Sequence, residues 1–379
     1  MNKLKTPYYL CEEKLLEKNL KLLNYVQEQS GAKIILALKG FAMWSTFELV
    51  SKYLKGCTAS GLYEAKLAKD EFYKYDDQAE VHTYSPAFNE DDIEEIAAIS
   101  NHIVFNSINQ LKKFIYKVKE VNPQIHVSLR INPEYSVSPV DIYNPCALYS
   151  RLGTTLENFD VDILKYLDGF NFHALCEQNV DALEAVLKIF EKNFSIYFKN
   201  LKYINFGGGH HITKRGYDVE KLIKIIKIFK EKYNLEVYLE PGEAIGWESG
   251  YLVSSVLDIV DNGMKLAILD TSAEAHMPDT LSMPYKAKVR DAGDANIKEF
   301  TYRLGGNTCL AGDIMGDYSF DKPLKIGDNI IFEDQIHYTF VKNTTFNGIK
   351  LPSLVIRKKD GTLSLIKEFK YESYKGRLS

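Results

Sequence analysis

A repeating pattern of short apolar runs and longer amphipathic segments between residues 25 and 245 limits the folds open to this chain. Each run is followed by a stretch whose apolar residues recur with helical spacing. The eight runs are 33–38, 56–60, 81–85, 102–106, 126–131, 170–175, 203–206 and 236–239. This alternation is typical of β–α units that build a parallel sheet. Eight such units favour a closed (β/α)8 barrel over an open sheet.

The pattern changes after Gly250, where helical periodicity almost disappears. Strand-like runs separated by turn residues follow at 252–260, 265–269, 299–304, 329–332, 338–341 and 354–357. Such runs predict an antiparallel β-sandwich or β-barrel domain, which the β-prone residues 7–10 are expected to join. We therefore predict an N-terminal segment (1–24) that partly joins the β domain, a barrel (25–248) and a C-terminal β domain (249–379).

Charge and cysteine content argue against several functional classes. The 379 residues carry a net charge of −4 without a long single-sign block, which disfavours nucleic acid and anionic membranes as partners. The five cysteines are scattered without a CxxC pair, so we expect reduced thiols and no metal site. No apolar run reaches the ~18 residues of a membrane span. These features predict a cytoplasmic protein.

Candidate catalytic side chains follow the predicted strands at their carboxyl ends, where barrel enzymes place their reacting groups. Lys39 follows the first strand, and His173 lies near the end of the sixth. A partly desolvated lysine loses its proton and can form a Schiff base, although a lysine at a barrel rim can equally be an ordinary solvated side chain. A lone histidine in an apolar run is more often structural than catalytic.

Three glycines and two carboxylates follow the seventh and eighth strands. Gly207, Gly208 and Gly209 could close their backbone N–H groups on a phosphate, or form only a flexible loop. Glu240 and Glu243 could by themselves be solvated charges. Together with the lysine and the histidine, however, these residues fit an aldehyde cofactor that carries a phosphate and a pyridine nitrogen. A carboxylate would keep that nitrogen protonated.

A glycine-rich segment of the second domain, residues 305–313, contains Cys309 and Asp313. Its composition is typical of a structural hairpin and equally of a loop that enters an active site. The residues by themselves leave both interpretations open.

These motifs resemble those of the fold-type III pyridoxal-phosphate decarboxylases, which include the ornithine, arginine and diaminopimelate decarboxylases. The resemblance runs through TPYYL at 6–10, ALKG at 37–40, FHALC at 172–176, FGGG at 206–209, EPGE at 240–243, GNTC at 306–309 and TFNG at 345–348. Within this family, the segments ALKGFA, FGGGHHIT, EPGEA and HMPD are most similar to those of carboxynorspermidine decarboxylases.

The resemblance implies how pyridoxal 5'-phosphate would be held. Lys39 would form the Schiff base with its aldehyde, and His173 would stack on its ring. The glycines at 207–209 and Tyr338 would contact the phosphate. Glu240 would pair with the pyridine nitrogen.

The resemblance also concerns the substrate and the assembly. Cys309 resembles the cysteine that protonates the substrate carbon after CO2 leaves, and Asp313 resembles a carboxylate that contacts the distal amine. The family's cysteine loop comes from the partner subunit, which implies a homodimer with shared active sites. Glu243 replaces an arginine of many relatives, and with Asp279 it would bind the ammonium groups of a polyamine-like substrate.

We therefore expect decarboxylation of carboxynorspermidine or carboxyspermidine to norspermidine or spermidine, two substrates that the sequence does not rank. The alternatives are an ornithine, arginine or diaminopimelate decarboxylase and, from a different class, a non-catalytic pyridoxal-phosphate-binding regulator. Glu243 disfavours diaminopimelate, whose distal group carries a carboxylate, while Lys39 and Cys309 favour catalysis. The residues without a predicted role are His210, His211, His276 and Cys176.

Overall fold

The computed structural model describes residues 4–138, 141–283 and 285–379. The chain divides into two compact units, one of Glu17–Ile245 and the other of Gly246–Ser379 with the residues up to Leu16. Compactness alone does not test the three segments proposed from the sequence (1–24, 25–248 and 249–379), which stay predictions.

The strands, in chain order, are β1 Tyr8–Glu12, β2 Lys33–Ile34, β3 Leu36–Ala37, β4 Gly56–Ala59, β5 Glu80–Tyr84, β6 His102–Phe105, β7 His126–Arg130, β8 Gly169–Asn171, β9 Tyr203–Asn205, β10 Glu236–Leu239, β11 Gly250–Asp261, β12 Lys265–Leu269, β13 Gly293–Asp294, β14 Phe300–Gly305, β15 Ile314–Phe320, β16 Asn329–Glu333, β17 Ser353–Arg357 and β18 Leu363–Lys367. The α-helices are α1 Glu13–Ser30, α2 Phe47–Val50, α3 Leu62–Leu67, α4 Ile93–Ile99, α5 Ile108–Val121, α6 Val180–Phe194, α7 Val219–Tyr233, α8 Glu243–Gly246, α9 Ala273–His276, α10 Asp279–Ser282, α11 Thr339–Lys342 and α12 Tyr371–Leu378.

The strands of the unit Glu17–Ile245 form one parallel sheet in the order β2-β10-β9-β8-β7-β6-β5-β4-β3. Only Ile35 separates β2 from β3, so the two are halves of one first strand. Because β2 pairs with β10 and β3 pairs with β4, the sheet closes on itself. The predicted (β/α)8 barrel is confirmed.

The barrel helices form where apolar residues recur on one face and a polar residue caps the first turn. In α5, the buried residues Leu111, Phe114, Ile115 and Val118 follow helical spacing, and the Ser107 side chain accepts a hydrogen bond from the backbone N–H of Gln110. Such caps contribute about 1 kcal/mol each. No helix in the described ranges is both long and apolar enough to span a membrane.

Aromatic packing fixes the carboxyl ends of β8 and β9 against α6. Phe190 of α6 is fully buried, and its ring centroid lies 4.8 Å from that of Phe172 and 5.4 Å from that of Phe198. The ring of Phe172 lies 5.4 Å from that of Phe206, the residue just after β9. Burial of one such ring stabilises a core by about 3–5 kcal/mol. The packed rings of Phe172 and Phe206 therefore fix the backbone immediately before His173 and the glycines.

The second unit contains one sheet in the order β13-β15-β14-β12-β11-β1-β17-β18, with β16 paired to β11. The predicted β domain is present, but its sheet is mixed, because β1 pairs parallel with β17 and β12 pairs parallel with β14. The strand predicted at 338–341 is wrong, since this segment contains the short helix α11. A four-residue apolar run does not distinguish a strand from a helical turn.

Candidate active site

The barrel brings the predicted strand-end residues to one mouth, because all its strands are parallel and their carboxyl ends lie on the same side. Lys39 follows β3, and the EPGE segment follows β10. The two segments meet through glycines: a Cβ atom built on Gly40 would lie 2.7 Å from the Cα of Gly242. A hydrogen bond of 3.0 Å from the Ala37 N–H to the Pro241 carbonyl joins them further. The glycines in ALKG and EPGE thus allow this close backbone contact.

Lys39 has a pKa that the surrounding groups of the barrel mouth alter. Although water reaches its side chain, the surrounding protein lowers the pKa of Lys39, first by desolvation and then by repulsion from Arg130. Attraction to the negative charges of Glu240 and Glu64 opposes this lowering of the pKa. A lysine with a lowered pKa has a larger neutral, nucleophilic fraction at neutral pH.

His173 lies two residues beyond β8 and is held by the glycine segment. Its Nδ1 accepts a 2.8 Å hydrogen bond from the Gly208 N–H, so the proton of the neutral ring is assigned to Nε2. Burial, with repulsion from Lys39 and Arg130, holds the pKa of His173 well below its usual value. The site therefore contains a neutral imidazole of defined orientation.

The three glycines after β9 form a tight turn against neighbouring backbone. Gly207 and Gly209 have positive φ angles of 70° and 81°. The N–H of Gly207 donates to the Asn205 side chain at 2.8 Å, and that of Gly208 donates to His173. Two of the three N–H groups predicted to bind phosphate therefore hold the turn itself, which leaves Gly209 as the glycine best suited to donate to an anion.

Glu240 follows β10 and is held by the same turn. Its Oε1 accepts a 2.7 Å hydrogen bond from Nδ2 of Asn205, and its backbone N–H donates to the Gly207 carbonyl at 2.8 Å. Its Oε2 has no hydrogen-bond partner within the described parts of the chain. This orientation leaves one carboxylate oxygen available to a protonated ring nitrogen.

Four further residues of this mouth were not identified from the sequence: Arg130, Glu64, Tyr84 and Asn205. The buried guanidinium of Arg130 donates to the His173 carbonyl at 3.1 Å and stacks 4.8 Å from the ring of Tyr84. Burial raises the pKa of Glu64, whose carboxylate accepts the Ser60 N–H at 2.6 Å. Arg130 is the last residue of β7, so the strand-end rule could have found it.

Glu243 begins α8 and is electrostatically linked to Cys176. Burial, reinforced by the charges of Glu177 and Glu243 and opposed by that of Lys39, raises the pKa of Cys176 to about 11. The Cys176 thiol is therefore protonated at neutral pH, and Glu243 contributes negative charge at the barrel mouth.

The glycine-rich loop of the second unit joins β14 to β15 and exposes Cys309. The Cys309 N–H donates to Oδ1 of Asn347 at 2.7 Å. Oδ2 of Asp313 accepts from the Thr308 hydroxyl at 2.6 Å and from its N–H at 3.3 Å. The loop is thus fixed on both sides of the cysteine.

Asp313 is almost completely buried, and its other oxygen caps α9. Oδ1 accepts the N–H groups of Ala273 at 2.7 Å and Glu274 at 3.3 Å. Two carboxylate oxygens offer about four acceptor sites, so these donors and those of Thr308 fill them. The predicted contact with a substrate amine would require one of these bonds to break.

Asp279 and Tyr338 also lie in the second unit. Oδ1 of Asp279 pairs with Nζ of Lys342 at 2.6 Å, and the Asp279 side chain is 12% exposed. Tyr338 precedes α11 with a φ of 31°, a conformation that is strained for a tyrosine and is more frequent at functional sites than elsewhere.

Comparisons with known proteins identify the family. The family model described as "Pyridoxal-dependent decarboxylase, C-terminal sheet domain" matches residues 44–335. A carboxynorspermidine/carboxyspermidine decarboxylase of Campylobacter jejuni is 54% identical over 383 residues, covering 98% of each chain. The chain belongs to the pyridoxal-dependent decarboxylases.

One crystal structure and one further relative are similar to this decarboxylase over almost its full length. The crystal structure of the Campylobacter jejuni carboxynorspermidine decarboxylase complexed with norspermidine has a TM-score of 0.91 at 52% identity, covering 99% of this chain and 100% of that one. A carboxyaminopropylagmatine decarboxylase of Synechocystis is 42% identical, covering 100% of this chain and 96% of the relative.

A second cluster of titratable residues lies at the amino ends of β5 and β6, away from the Lys39 mouth of the decarboxylase. The ligand atoms of Glu80, His82 and His102 lie within 4.8 Å of one another. The two imidazole rings stack with centroids 3.8 Å apart and 14° between planes. An imidazole nitrogen binds a metal ion in the plane of its own ring. An ion in the plane of one ring would lie roughly 3–4 Å from the plane of the second ring, which is beyond a Zn–N bond of about 2.0–2.1 Å. This stacked arrangement suits hydrogen bonds from both rings to Glu80 better than shared metal coordination.

Proposed function

We propose that this decarboxylase holds pyridoxal 5'-phosphate at the Lys39 mouth of the barrel. The observation that carries the proposal is the arrangement of a lysine of lowered pKa, a neutral histidine, a glycine turn and an oriented glutamate at one set of strand ends. In this order, the four groups suit the aldehyde, the ring, the phosphate and the pyridine nitrogen of that cofactor. When bound, the cofactor would supply the electron sink for loss of CO2.

The barrel residues have separate tasks in this proposal. Lys39 would hold the cofactor through its aldehyde, because a lysine of lowered pKa has a larger neutral, nucleophilic fraction. His173 would lie against the ring, with its orientation fixed by Gly208. Glu240 would hold the proton on the pyridine nitrogen, and Gly209 would donate its N–H to the phosphate, to which Tyr338 would also bind.

Cys309 would deliver a proton to the substrate carbon after CO2 leaves. An exposed loop fixed by Asn347 and Thr308 suits this task, because the thiol must reach a substrate without moving far. We further propose a homodimer in which this loop serves the partner's active site. For Asp313 we propose the task of holding the loop in place of the amine contact predicted from the sequence, because its four donors already saturate the carboxylate.

The substrate we propose is carboxynorspermidine or carboxyspermidine, with Glu243 and Asp279 as ligands of its ammonium groups. The support is the 54% identity to the Campylobacter jejuni enzyme, together with the acidic side chains. Asp279 already pairs with one ammonium group, that of Lys342, so a substrate amine would replace a cation of the same kind.

A second candidate substrate is carboxyaminopropylagmatine, because the Synechocystis relative is 42% identical over the whole chain. That substrate ends in an agmatine-derived guanidinium group, which is planar and binds carboxylates through paired N–H groups, whereas an ammonium group is compact. The two substrates therefore demand different carboxylate geometry.

A product assay tests both candidates. Protein reconstituted with pyridoxal phosphate is incubated separately with carboxynorspermidine, carboxyspermidine, carboxyaminopropylagmatine, ornithine, arginine and diaminopimelate, and the amines are identified by mass spectrometry. We expect norspermidine and spermidine. Selective turnover of carboxyaminopropylagmatine would favour the second candidate, and putrescine, agmatine or lysine as the main product would refute both.

Lys39→Ala is the control for catalysis by the proposed site. It should remove turnover of every substrate, because within the described residues Lys39 is the lysine that follows a barrel strand next to Glu240. Lys55→Ala, a change at an exposed lysine that precedes β4, should leave turnover intact. Equal turnover by Lys39→Ala and the wild type would place the chemistry elsewhere.

A further inference from the structure

Asn205 connects two parts of the barrel mouth that would bind opposite ends of the cofactor. It is the last residue of β9 and is 1% exposed. Its Nδ2 donates to Oε1 of Glu240 at 2.7 Å, and its Oδ1 accepts the Gly207 N–H at 2.8 Å. One buried side chain thus contacts both the carboxylate and the first N–H of the glycine turn.

The two partners determine the chemistry required at position 205. An ionised Glu240 carboxylate can only accept a hydrogen bond, whereas the Gly207 N–H can only donate one. A primary amide offers a donor and an acceptor on one rigid plane, so it satisfies both partners at once. An ionised carboxylate would satisfy Gly207 but repel Glu240, and an aliphatic side chain would satisfy neither.

Backbone contacts make this connection rigid. The Phe206 N–H donates to the Tyr238 carbonyl at 2.9 Å, and the Glu240 N–H donates to the Gly207 carbonyl at 2.8 Å. Neither bond determines the rotation of the Glu240 side chain, which therefore depends on the Asn205 amide. The amide donates to Oε1 and leaves Oε2 directed elsewhere.

We propose that Asn205 is a positioning residue that orients Glu240 for the cofactor's ring nitrogen while it fixes the glycine turn for the phosphate. The inference rests on the proposed cofactor site. In this inference, the Asn205 amide determines how far the Glu240 carboxylate lies from the glycine turn.

A double-mutant cycle on cofactor affinity tests the connection. The affinity of apoprotein for pyridoxal phosphate is measured by absorbance titration for the wild type, Asn205→Leu, Glu240→Gln and the double variant. Loss of a hydrogen bond to a charged group is expected to weaken affinity about 10- to 100-fold in each single variant. If Asn205 acts in part through Glu240, the loss of affinity in the double variant should be clearly smaller than the product of the two single losses.

A second variant has a readout that a purely structural role would not change. Asn205→Asp keeps the shape but puts a second carboxylate beside Glu240. At low pH one shared proton preserves a hydrogen bond, whereas at high pH the two charges repel. Its affinity for pyridoxal phosphate should therefore fall relative to the wild type as pH rises, while Asn205→Leu keeps a constant ratio to the wild type. Asn262→Asp, the same exchange at an exposed position, is the matched control.

The outcomes separate this inference from the proposed function. If the wild type itself binds no pyridoxal phosphate, the cofactor site is refuted. If it binds, but the losses of the two single variants multiply in the double variant and Asn205→Asp follows the wild-type pH profile, the positioning role is refuted. Should Asn205→Leu not fold, the nearly isosteric Asn205→Asp still decides between the two results.

Discussion

Replacement of Gly209 by alanine should disrupt the glycine turn far more than a backbone angle alone would explain. Gly209 has a φ of 81°, and a Cβ atom there would lie 2.1 Å from the Leu175 carbonyl oxygen. Gly216 has nearly the same φ, 87°, but a Cβ atom built on it meets nothing within 4 Å. Gly216→Ala is therefore a matched control, since both changes have a similar conformational cost of about 1–2 kcal/mol.

The additional effect at position 209 follows from the contact distance. A carbon and a carbonyl oxygen approach no closer than about 3.3 Å without repulsion, so the turn must move by roughly 1 Å. A displacement of that size stretches an N–H to phosphate bond well beyond its usual length of about 2.9 Å. Errors of about 1 Å in a positioned site can cost ~100-fold, equivalent to about 2.7 kcal/mol. We therefore expect Gly209→Ala to bind pyridoxal phosphate about 100-fold more weakly than Gly216→Ala.

The assay is absorbance titration of apoprotein with pyridoxal phosphate, combined with urea unfolding of both variants without cofactor. Urea unfolding gives the loss of folding stability in each variant. The titration gives the loss of affinity for pyridoxal phosphate, which reports the displacement of the turn. Equal cofactor affinity in the two folded variants would refute the reasoning, because the close contact with Leu175 would then have no effect on the proposed phosphate site.

Three further predictions concern the cysteine loop and a buried histidine. Cys309→Ala should retain cofactor affinity but lower kcat at least 100-fold, measured as product formed per site; an unchanged kcat would contradict its role as proton donor. Asp313→Asn should place an amide NH2 group against N–H donors that the carboxylate now accepts, either those of α9 or that of Thr308, and should lower kcat about tenfold with unchanged cofactor affinity; a loss confined to KM would instead favour a substrate contact. Burial lowers the pKa of His210 to about 4 from 6.5, so below pH 6.5 the unfolded chain takes up a proton that the folded chain does not. Stability should fall from pH 6.5 towards pH 4 by up to roughly 3 kcal/mol from this residue, and in urea unfolding His210→Gln should lose stability less steeply over that range; an equal slope would contradict the assignment.

The strand-end residues of the barrel could be predicted because the sequence marks where each apolar run stops. Lys39, Glu240 and the glycine turn follow such runs directly, and parallel strands bring those positions to one mouth. Arg130 and Asn205 were overlooked because each lies inside a predicted apolar run. Within so short a run, the sequence does not show whether a polar residue points into the barrel mouth. Arg130 meets His173 only when β7 pairs with β8, and Asn205 meets Glu240 only when β9 pairs with β10.

The second unit was less predictable because its important contacts join distant parts of the sequence. The distance from Asp313 to the N–H groups of α9 spans 40 residues of sequence, and a carboxylate in a glycine-rich loop offers no sign that it caps a helix. From the motif alone it was assigned to a substrate amine; in the structure its acceptor sites are occupied by α9 and Thr308. The type of a residue predicts which partners it can bind, but only the fold determines which of them it meets first.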